Sequence, residues 1–104
     1  MAFLNTIVDD IPNVSVITKI EVLRFNASEK VYKILSDFMD ASLIFDLSND
    51  VVNKTILLGK NHKIKLPDAI IAATALVYDL TLLSRNVIDY KGISKLQIVN
   101  PYDM

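Results

Sequence analysis

The segment from Pro67 to Tyr78 constrains the fold more than any other part of the sequence. It predicts a helix that is apolar on nearly every face, and Pro67 suits its first turn, where a missing N–H breaks no hydrogen bond. A helix of this kind is stable only when other elements cover it on all sides. Asp68 nevertheless places a carboxylate in its first turn, so that carboxylate needs an explanation.

Short apolar segments that predict strands alternate with segments that predict helices. The strands are expected where β-branched or aromatic residues are bounded by turn residues. They are Val14–Ile17, Ser42–Leu47, Thr81–Ser84 and Leu96–Val99. We expect Phe3–Val8 to be the tail of a helix and Val87–Tyr90 to form a single helical turn.

Serine and threonine residues predict where two helices begin. Thr18 and Glu21 have the spacing of a capping box, which would open a helix running through Phe25. Ser28 is the predicted cap of the next helix. Its apolar stripe has helical spacing and comprises Val31, Ile34, Leu35 and Phe38.

A third helix is predicted to begin at Ser48 or Asn49 and to end at Gly59. The polar, basic segment Lys60–Lys65 that follows is predicted to be a loop. The residues of this helix that we expect to face inward are Val51, Val52, Thr55, Ile56 and Leu58.

The alternation of strands and helices predicts an α/β fold with a mainly parallel sheet that helices cover on both faces. The 104 residues suffice for one domain, so we expect a single domain spanning residues 1–104. Ligands of such sheets bind beyond the carboxyl ends of the strands. Residues that follow strands are therefore the first candidates for a functional site.

Composition excludes several kinds of site. The chain has no cysteine and a single histidine, His62, which rules out thiolate and multi-histidine metal sites. The formal net charge of −1 gives no global basic field. No apolar run approaches the roughly 20 residues that span a bilayer, and the first residues do not resemble a signal peptide. We therefore expect no membrane association and a cytoplasmic protein.

Three carboxylates are candidates for one site, because Glu21, Asp68 and Asp89 each lie just after a strand or at the start of a helix. Clustered carboxylates repel one another unless a cation neutralises them or one of them is protonated. Oxygen ligands suit Mg²⁺ or Mn²⁺, and such ions promote phosphodiester hydrolysis. These residues are therefore predicted to bind a divalent metal.

Each of these residues also has a purely structural interpretation. The role of Glu21 could be limited to capping its own helix, and that of Asp68 to stabilising the first turn of its helix. Asp89 could be a solvated surface residue. Asn86 could satisfy backbone groups of a turn.

Basic residues near these carboxylates could contact the phosphates of RNA. We predict this role for Lys60, Lys63, Lys65 and Arg85, although a solvated loop is the simpler interpretation of the lysines.

Several segments resemble the acidic motifs of PIN domains, the nuclease fold of VapC-type toxins. Ser15–Leu23 is similar to the second motif and Leu66–Ala75 to the third. Leu82–Tyr90 resembles the fourth motif, and Leu96–Pro101 resembles the last strand. The match covers nearly the whole chain. It implies a PIN-like three-layer α/β/α fold with a mainly parallel sheet.

The resemblance also implies a function. PIN domains of this type are metal-dependent endoribonucleases of toxin–antitoxin systems, often dimeric and paired with an antitoxin. By resemblance, Glu21 and Asp68 would be metal ligands and Asp89 a more peripheral acidic residue. Ser84 would support the carboxylates by hydrogen bonding, with Asn86 beside it.

The amino terminus departs from the family pattern. PIN domains open with an apolar strand ending in Asp-Thr/Ser-Asn, whose aspartate is a central metal ligand, and no such segment occurs here. Phe3–Ile7 resembles the tail of the helix that follows that strand, so the chain is expected to be N-terminally truncated. That strand lies in the middle of the sheet. Its loss would leave two strand edges unpaired, which the neighbouring strands or a second copy could close, and the latter predicts a homo-oligomer.

Three functions remain open at this stage. The first is a metal-dependent endoribonuclease, inactive or weakened by the absent motif. The second is a non-catalytic module that binds an antitoxin or itself. The third, a receiver-like domain with a phospho-accepting aspartate, is the weakest, because Asp9 and Asp10 precede their strand instead of following one.

Overall fold

The computed structural model describes residues 12–84 and 86–100, together with the backbone of Phe3–Asn5. The described strands form a sheet of order β3-β2-β1-β4-β5. They are β1 (Phe3–Asn5), β2 (Asn13–Ser15), β3 (Leu43–Phe45), β4 (Thr81–Leu83) and β5 (Ile98–Val99). The described helices are α1 (Val16–Leu23), α2 (Glu29–Asp40), α3 (Asn49–Asn61) and α4 (Leu66–Val77), and Val87–Tyr90 forms a 3₁₀ turn.

The strand directions confirm the predicted α/β class. β2 is parallel to β3, and β4 is parallel to β5. β1 lies between these two pairs and is antiparallel to both of its neighbours. The other four described strands therefore all run in one direction, and the sheet is mainly parallel.

The prediction for the amino-terminal segment was wrong. Phe3–Asn5 forms a strand and not the tail of a helix, while residues 6–11 lie outside the described part of the chain. The prediction that the centre of the sheet is open was also wrong, because β1 occupies it. Leu4 pairs with Asn13 on one side and with Leu82 on the other. A short segment that hydrogen-bonds to the unpaired backbone edges of two strands is more stable between those strands than as the end of a helix.

Helices cover both faces of the sheet. Successive side chains of a strand point to opposite faces. Two neighbouring residues of β3 therefore show which helices cover each face of the sheet. Ile44 packs against a cluster of Val14, Val22 and Met39, which involves α1 and α2. Phe45 packs against the larger cluster formed by α3, α4 and β4. The result is the predicted three-layer arrangement.

Helix α1 begins earlier than the capping-box prediction places it. Ser15 is its cap, and the Ser15 hydroxyl accepts a hydrogen bond from the N–H of Ile17 at 3.3 Å. Thr18 lies inside the helix and is buried. The helix ends at Leu23, so Glu21 lies in its last turn instead of capping its first. The structural interpretation of Glu21 as a capping residue is therefore wrong.

The caps predicted for the next two helices are confirmed. The hydroxyls of Ser28 and Ser48 each accept an N–H bond at 3.3 Å from a residue three positions later. Gly59 does not end α3, which continues to Asn61, so Lys60 is helical. Ile56 is exposed and not inward as predicted.

Helix α4 is the buried helix that its sequence predicts. Residues 71–75 are all buried. The helix ends in a Schellman motif, in which the N–H of Leu80 donates to the carbonyl of Ala75 and Asp79 adopts a left-handed φ of 55°. This tight turn reverses the chain into β4. The start of α4 and the carboxyl end of β4 consequently lie at the same edge of the sheet.

Replacing Leu4 with proline tests the position of β1. Proline removes a backbone N–H that a central strand uses in its ladder. We expect Leu4→Pro to lower the free energy of unfolding by about 1–3 kcal/mol more than Leu4→Ala, which is the cost of leaving a buried carbonyl without its hydrogen-bond donor. Urea denaturation of the two variants measures the difference. Equal stabilities would show that Phe3–Asn5 is not the central strand.

Candidate functional site

Three elements bring polar residues to the carboxyl edge of the sheet. Helix α1 follows β2 directly and carries Glu21. Helix α4 carries Asp68 in its first turn, where the helix dipole favours a carboxylate. Ser84 follows the last residue of β4. These are the positions at which ligands bind in α/β folds.

The side chains from these elements line a common cavity of about 250 Å³. Glu21 is exposed at its mouth, Asp68 is half-buried and Ser84 is buried. The other residues that line it are Val22, Ile71, Asn86 and Tyr90. Glu21 and Asp68 are therefore brought together, as the sequence predicts.

Tyr90 lies beneath these carboxylates. Its side chain is only 3% exposed, and its hydroxyl donates a hydrogen bond to Oδ1 of Asp68 at 3.3 Å. Burial raises the pKa of Tyr90 well above its usual range. The charge of Asp68, the hydrogen bond to Asp68, and then the charges of Asp89 and Glu21 raise this pKa further. All three predicted carboxylates thus act on one hydroxyl group.

Asp68 also lines a second cavity, of about 270 Å³. Asp89 lines this cavity together with Asp68, and neither Glu21 nor Ser84 does. Its basic residues are Lys63, Lys65 and Lys91. Asp68 therefore lines both an acidic cavity and one that carries three lysines and two aspartates.

The structure locates the remaining predicted residues as follows. Ser84 does not bond a carboxylate among the described residues; its hydroxyl accepts the N–H of Asn86 at 3.1 Å, which fixes the turn. Asn86 is exposed at the first cavity, and its carbonyl also accepts the N–H of Asp89. Lys60, at the end of α3, lines neither cavity. Arg85 lies outside the described residues.

The donors suit a hard divalent cation in type but are few in number. Carboxylate, hydroxyl and amide oxygens line the first cavity, without a sulfur or imidazole ligand. Within residues 12–84 and 86–100, no three acidic, histidine or cysteine residues are close enough to hold one ion. In the same part of the chain, neither Glu21 nor Asp68 makes an ion pair, whereas Lys33 and Asp37 do at 3.2 Å on α2. Neither carboxylate is therefore neutralised by an ion pair with a described residue.

Sequence reasoning missed Tyr90 and Lys91. Tyr90 was considered only as the end of a short turn, and Lys91 carried no motif. Asp89 was a candidate, and the residues that follow it reach the same two cavities. The sequence did contain a signal for Tyr90, because it follows a candidate carboxylate. A tyrosine that is buried in the core usually needs a hydrogen-bond partner for its hydroxyl.

Comparison with known proteins identifies the family. A chain of a toxin–antitoxin complex from Klebsiella pneumoniae is 33% identical, with a TM-score of 0.75 over 88% of this chain and 75% of that chain. This chain belongs to the VapC-like PIN-domain family. A structure of VapBC2 from Rickettsia felis, bound to a DNA fragment from its promoter, shares the fold at 24% identity. Its TM-score is 0.69, over 85% of this chain and 73% of that chain.

No protein-family model matches the sequence, and no curated protein does. The assignment to the VapC-like PIN family therefore depends on the solved structures. Among the described helices, none is both long and apolar enough to cross a membrane.

The raised pKa of Tyr90 predicts how stability depends on pH. The folded protein holds this proton to higher pH than the unfolded chain, whose tyrosine titrates near 10. The contribution of Tyr90 to stability is thus complete below about pH 10 and is lost as pH rises further, by at most about 1.4 kcal/mol per pH unit. Phenylalanine cannot ionise, so this loss should be absent in Tyr90→Phe.

Urea denaturation of the wild type and Tyr90→Phe between about pH 8 and about pH 11 measures this difference. We expect the stability gap between the two proteins to be constant at the lower end and to shift in favour of Tyr90→Phe at the upper end. A constant gap over the whole range would contradict the environment assigned to Tyr90.

Proposed function

We propose that this chain is a metal-dependent endoribonuclease of the PIN/VapC toxin type, acting in the cytoplasm on RNA phosphodiester bonds. Glu21 and Asp68 are its metal ligands, and Asp89 is a peripheral acidic residue. The observation that carries the proposal is that Glu21 and Asp68, from separate helices, line one cavity at the carboxyl edge of the sheet. The family and the oxygen donors of the cavity support it.

The residues of the first cavity have distinct roles in this proposal. A bound Mg²⁺ or Mn²⁺ ion would polarise a phosphoryl oxygen and lower the pKa of a water molecule. Glu21 and Asp68 would hold the ion, and the positive charge of the ion would attract the phosphate. Ser84 fixes the turn that presents Asn86 at the cavity mouth. Asp89 adds negative charge nearby without lining the same cavity.

The number of ligands predicts a weak enzyme. β1 runs antiparallel to its neighbours, and none of its three residues is acidic. The central strand therefore supplies no carboxylate, and among residues 12–84 and 86–100 two carboxylates line the first cavity. Fewer charged ligands give lower affinity for a divalent cation. We infer that metal binding and RNA cleavage are measurable but weaker than in a PIN domain whose central strand supplies an aspartate.

Asp68→Ala tests the metal site and the reaction together. We expect the wild type to bind Mn²⁺ in calorimetry and to cleave single-stranded RNA only when Mn²⁺ or Mg²⁺ is added. Asp68→Ala should lose both properties, because it removes a ligand that Glu21 alone cannot replace. The matched control is Asp50→Ala, since Asp50 also lies in the first turn of a helix but lines neither cavity.

The results separate the alternatives. Equal loss in Asp50→Ala would show that the effect is a general one on helix stability. Mn²⁺ binding by the wild type without RNA cleavage would contradict the enzyme and leave a cation-binding module. Absence of both would contradict the proposed site entirely.

We also propose that Lys63 and Lys65 contact the RNA backbone from the second cavity, and that Lys91 contributes with them. Their side chains make no ion pair within residues 12–84 and 86–100, so their charge is available. Phosphate contacts supply most of the sequence-independent affinity for nucleic acids. Lys60 and Arg85 have no such support from the described geometry.

The double variant Lys63→Ala/Lys65→Ala tests this contact. We expect RNA affinity to fall, and the slope of log affinity against log salt concentration to become shallower by about 1.4 for two lost contacts to a single strand. Fluorescence anisotropy at several salt concentrations measures both. Lys30→Ala/Lys33→Ala removes the same charge from α2 and should leave the slope unchanged. Equal effects of the two double variants would assign the change to net charge alone.

A second candidate function is binding of an antitoxin or of another copy of this chain. It is supported by an apolar surface on α1 and α2, where Ile34 is 60% exposed and Phe25, beyond α1, is 68% exposed. The other exposed apolar residues of this surface are Ile20, Val31, Tyr32 and Phe38. Surfaces of this kind mark protein partners. An antitoxin partner fits the complexes in which the similar chains occur.

A further inference from the structure

Tyr90 connects the hydrophobic core with the candidate metal site. Its ring belongs to the core cluster that contains Leu58, Ile71 and Leu82. Its hydroxyl lies at the boundary of that cluster and donates to Oδ1 of Asp68 at 3.3 Å. A buried aromatic ring has little freedom to move, because close-packed neighbours surround it. The hydroxyl is therefore a fixed donor beside a carboxylate that borders open space.

We propose that Tyr90 is a positioning residue for Asp68, whose Oδ1 it holds so that Oδ2 is presented to a cation in the first cavity. This inference rests on the proposed function, since it takes Asp68 to be a metal ligand. It assigns to Tyr90 a contact with the ligand and none with the cation or the substrate.

The surroundings of Asp68 support this role. The side chain of Asp68 has no other hydrogen-bond donor and no ion pair within residues 12–84 and 86–100. Lys65 caps α4 without a side-chain hydrogen bond, so the local helix start does not fix the carboxylate either. The Tyr90 hydroxyl is thus the contact that selects one rotamer of Asp68.

The geometry also limits how Asp68 can bind an ion. A carboxylate has two oxygens, each with two acceptor positions. Donation to Oδ1 leaves Oδ2 unoccupied by the described residues, which favours binding through one oxygen. Groups that orient a metal ligand in this way change metal affinity when they are removed, commonly by 10- to 100-fold. The long distance of 3.3 Å points to the lower end of this range.

Packing alone does not account for the hydroxyl group. A phenylalanine ring would occupy the same volume of the core and would need no polar partner. In the structure the hydroxyl has a partner, and that partner is the carboxylate that borders both cavities. The packing role and the positioning role can therefore be separated by Tyr90→Phe.

Calorimetric titration with Mn²⁺ at neutral pH provides the test on the full chain. We expect Tyr90→Phe to bind Mn²⁺ about tenfold more weakly than the wild type, while its thermal midpoint without metal remains close to that of the wild type. The matched control is Tyr78→Phe, which removes a hydroxyl that donates to Ser48 at 3.2 Å. Tyr78 is ten residues along the chain from Asp68, or about 15 Å at the helical rise, and its replacement should leave Mn²⁺ affinity unchanged.

Asp68→Ala distinguishes failure of this inference from failure of the proposed function. If the wild type binds Mn²⁺, Asp68→Ala does not, and Tyr90→Phe binds as tightly as the wild type, the metal site stands and the positioning role is wrong. If Asp68→Ala binds as tightly as the wild type, or the wild type binds no Mn²⁺, the proposed site and this inference are both wrong. A tenfold loss in Tyr78→Phe as well would also overturn the specific role of Tyr90.

Discussion

The backbone pairing of β1 with both β2 and β4 is the interaction on which the candidate site depends. β2 leads into the helix that carries Glu21, whereas β4 is joined to the helix that carries Asp68. Without a strand between them, the parallel pairs β2–β3 and β4–β5 would share no ladder, because β1 bonds to one member of each. Three residues of backbone thus join the two halves of the sheet from which Glu21 and Asp68 are positioned.

The direction of β1 also affects the chemistry. The resemblance to PIN domains predicts a central strand that ends at the site with an aspartate. Here Phe3, at the start of β1, pairs with Leu83 at the carboxyl end of β4. The strand therefore begins at the site edge, and it restores the sheet without restoring an acidic ligand. The presence of a central strand and the presence of an acidic ligand on that strand are therefore independent in this chain.

The sequence predicted helix boundaries well where a single capping residue determines them. It predicted elements poorly where pairing with residues distant in the sequence determines them. Ser48 caps α3 as expected, since a hydroxyl before a helix competes with little else. Thr18 is also a hydroxyl residue that could cap a helix. Ser15 caps α1 instead, because the strand pairing of β2 ends at Ser15. Pairing also turned Phe3–Asn5 into a strand. In the site, the position of Asp68 could be predicted from its helix, whereas the contact of Tyr90 depends on how a later turn packs.

Asp68 is the point at which the two cavities meet, and its charge has opposite consequences on its two sides. Toward Glu21 it adds to negative charge that attracts a cation and repels a phosphate. Toward Lys63, Lys65 and Lys91 it is outnumbered by positive charge that attracts a phosphate. Under the proposed function, a polyanionic strand would reach the acidic cavity only when its charge is balanced by the lysines and by a bound cation. Cation binding would then be a condition for RNA binding as well as for catalysis.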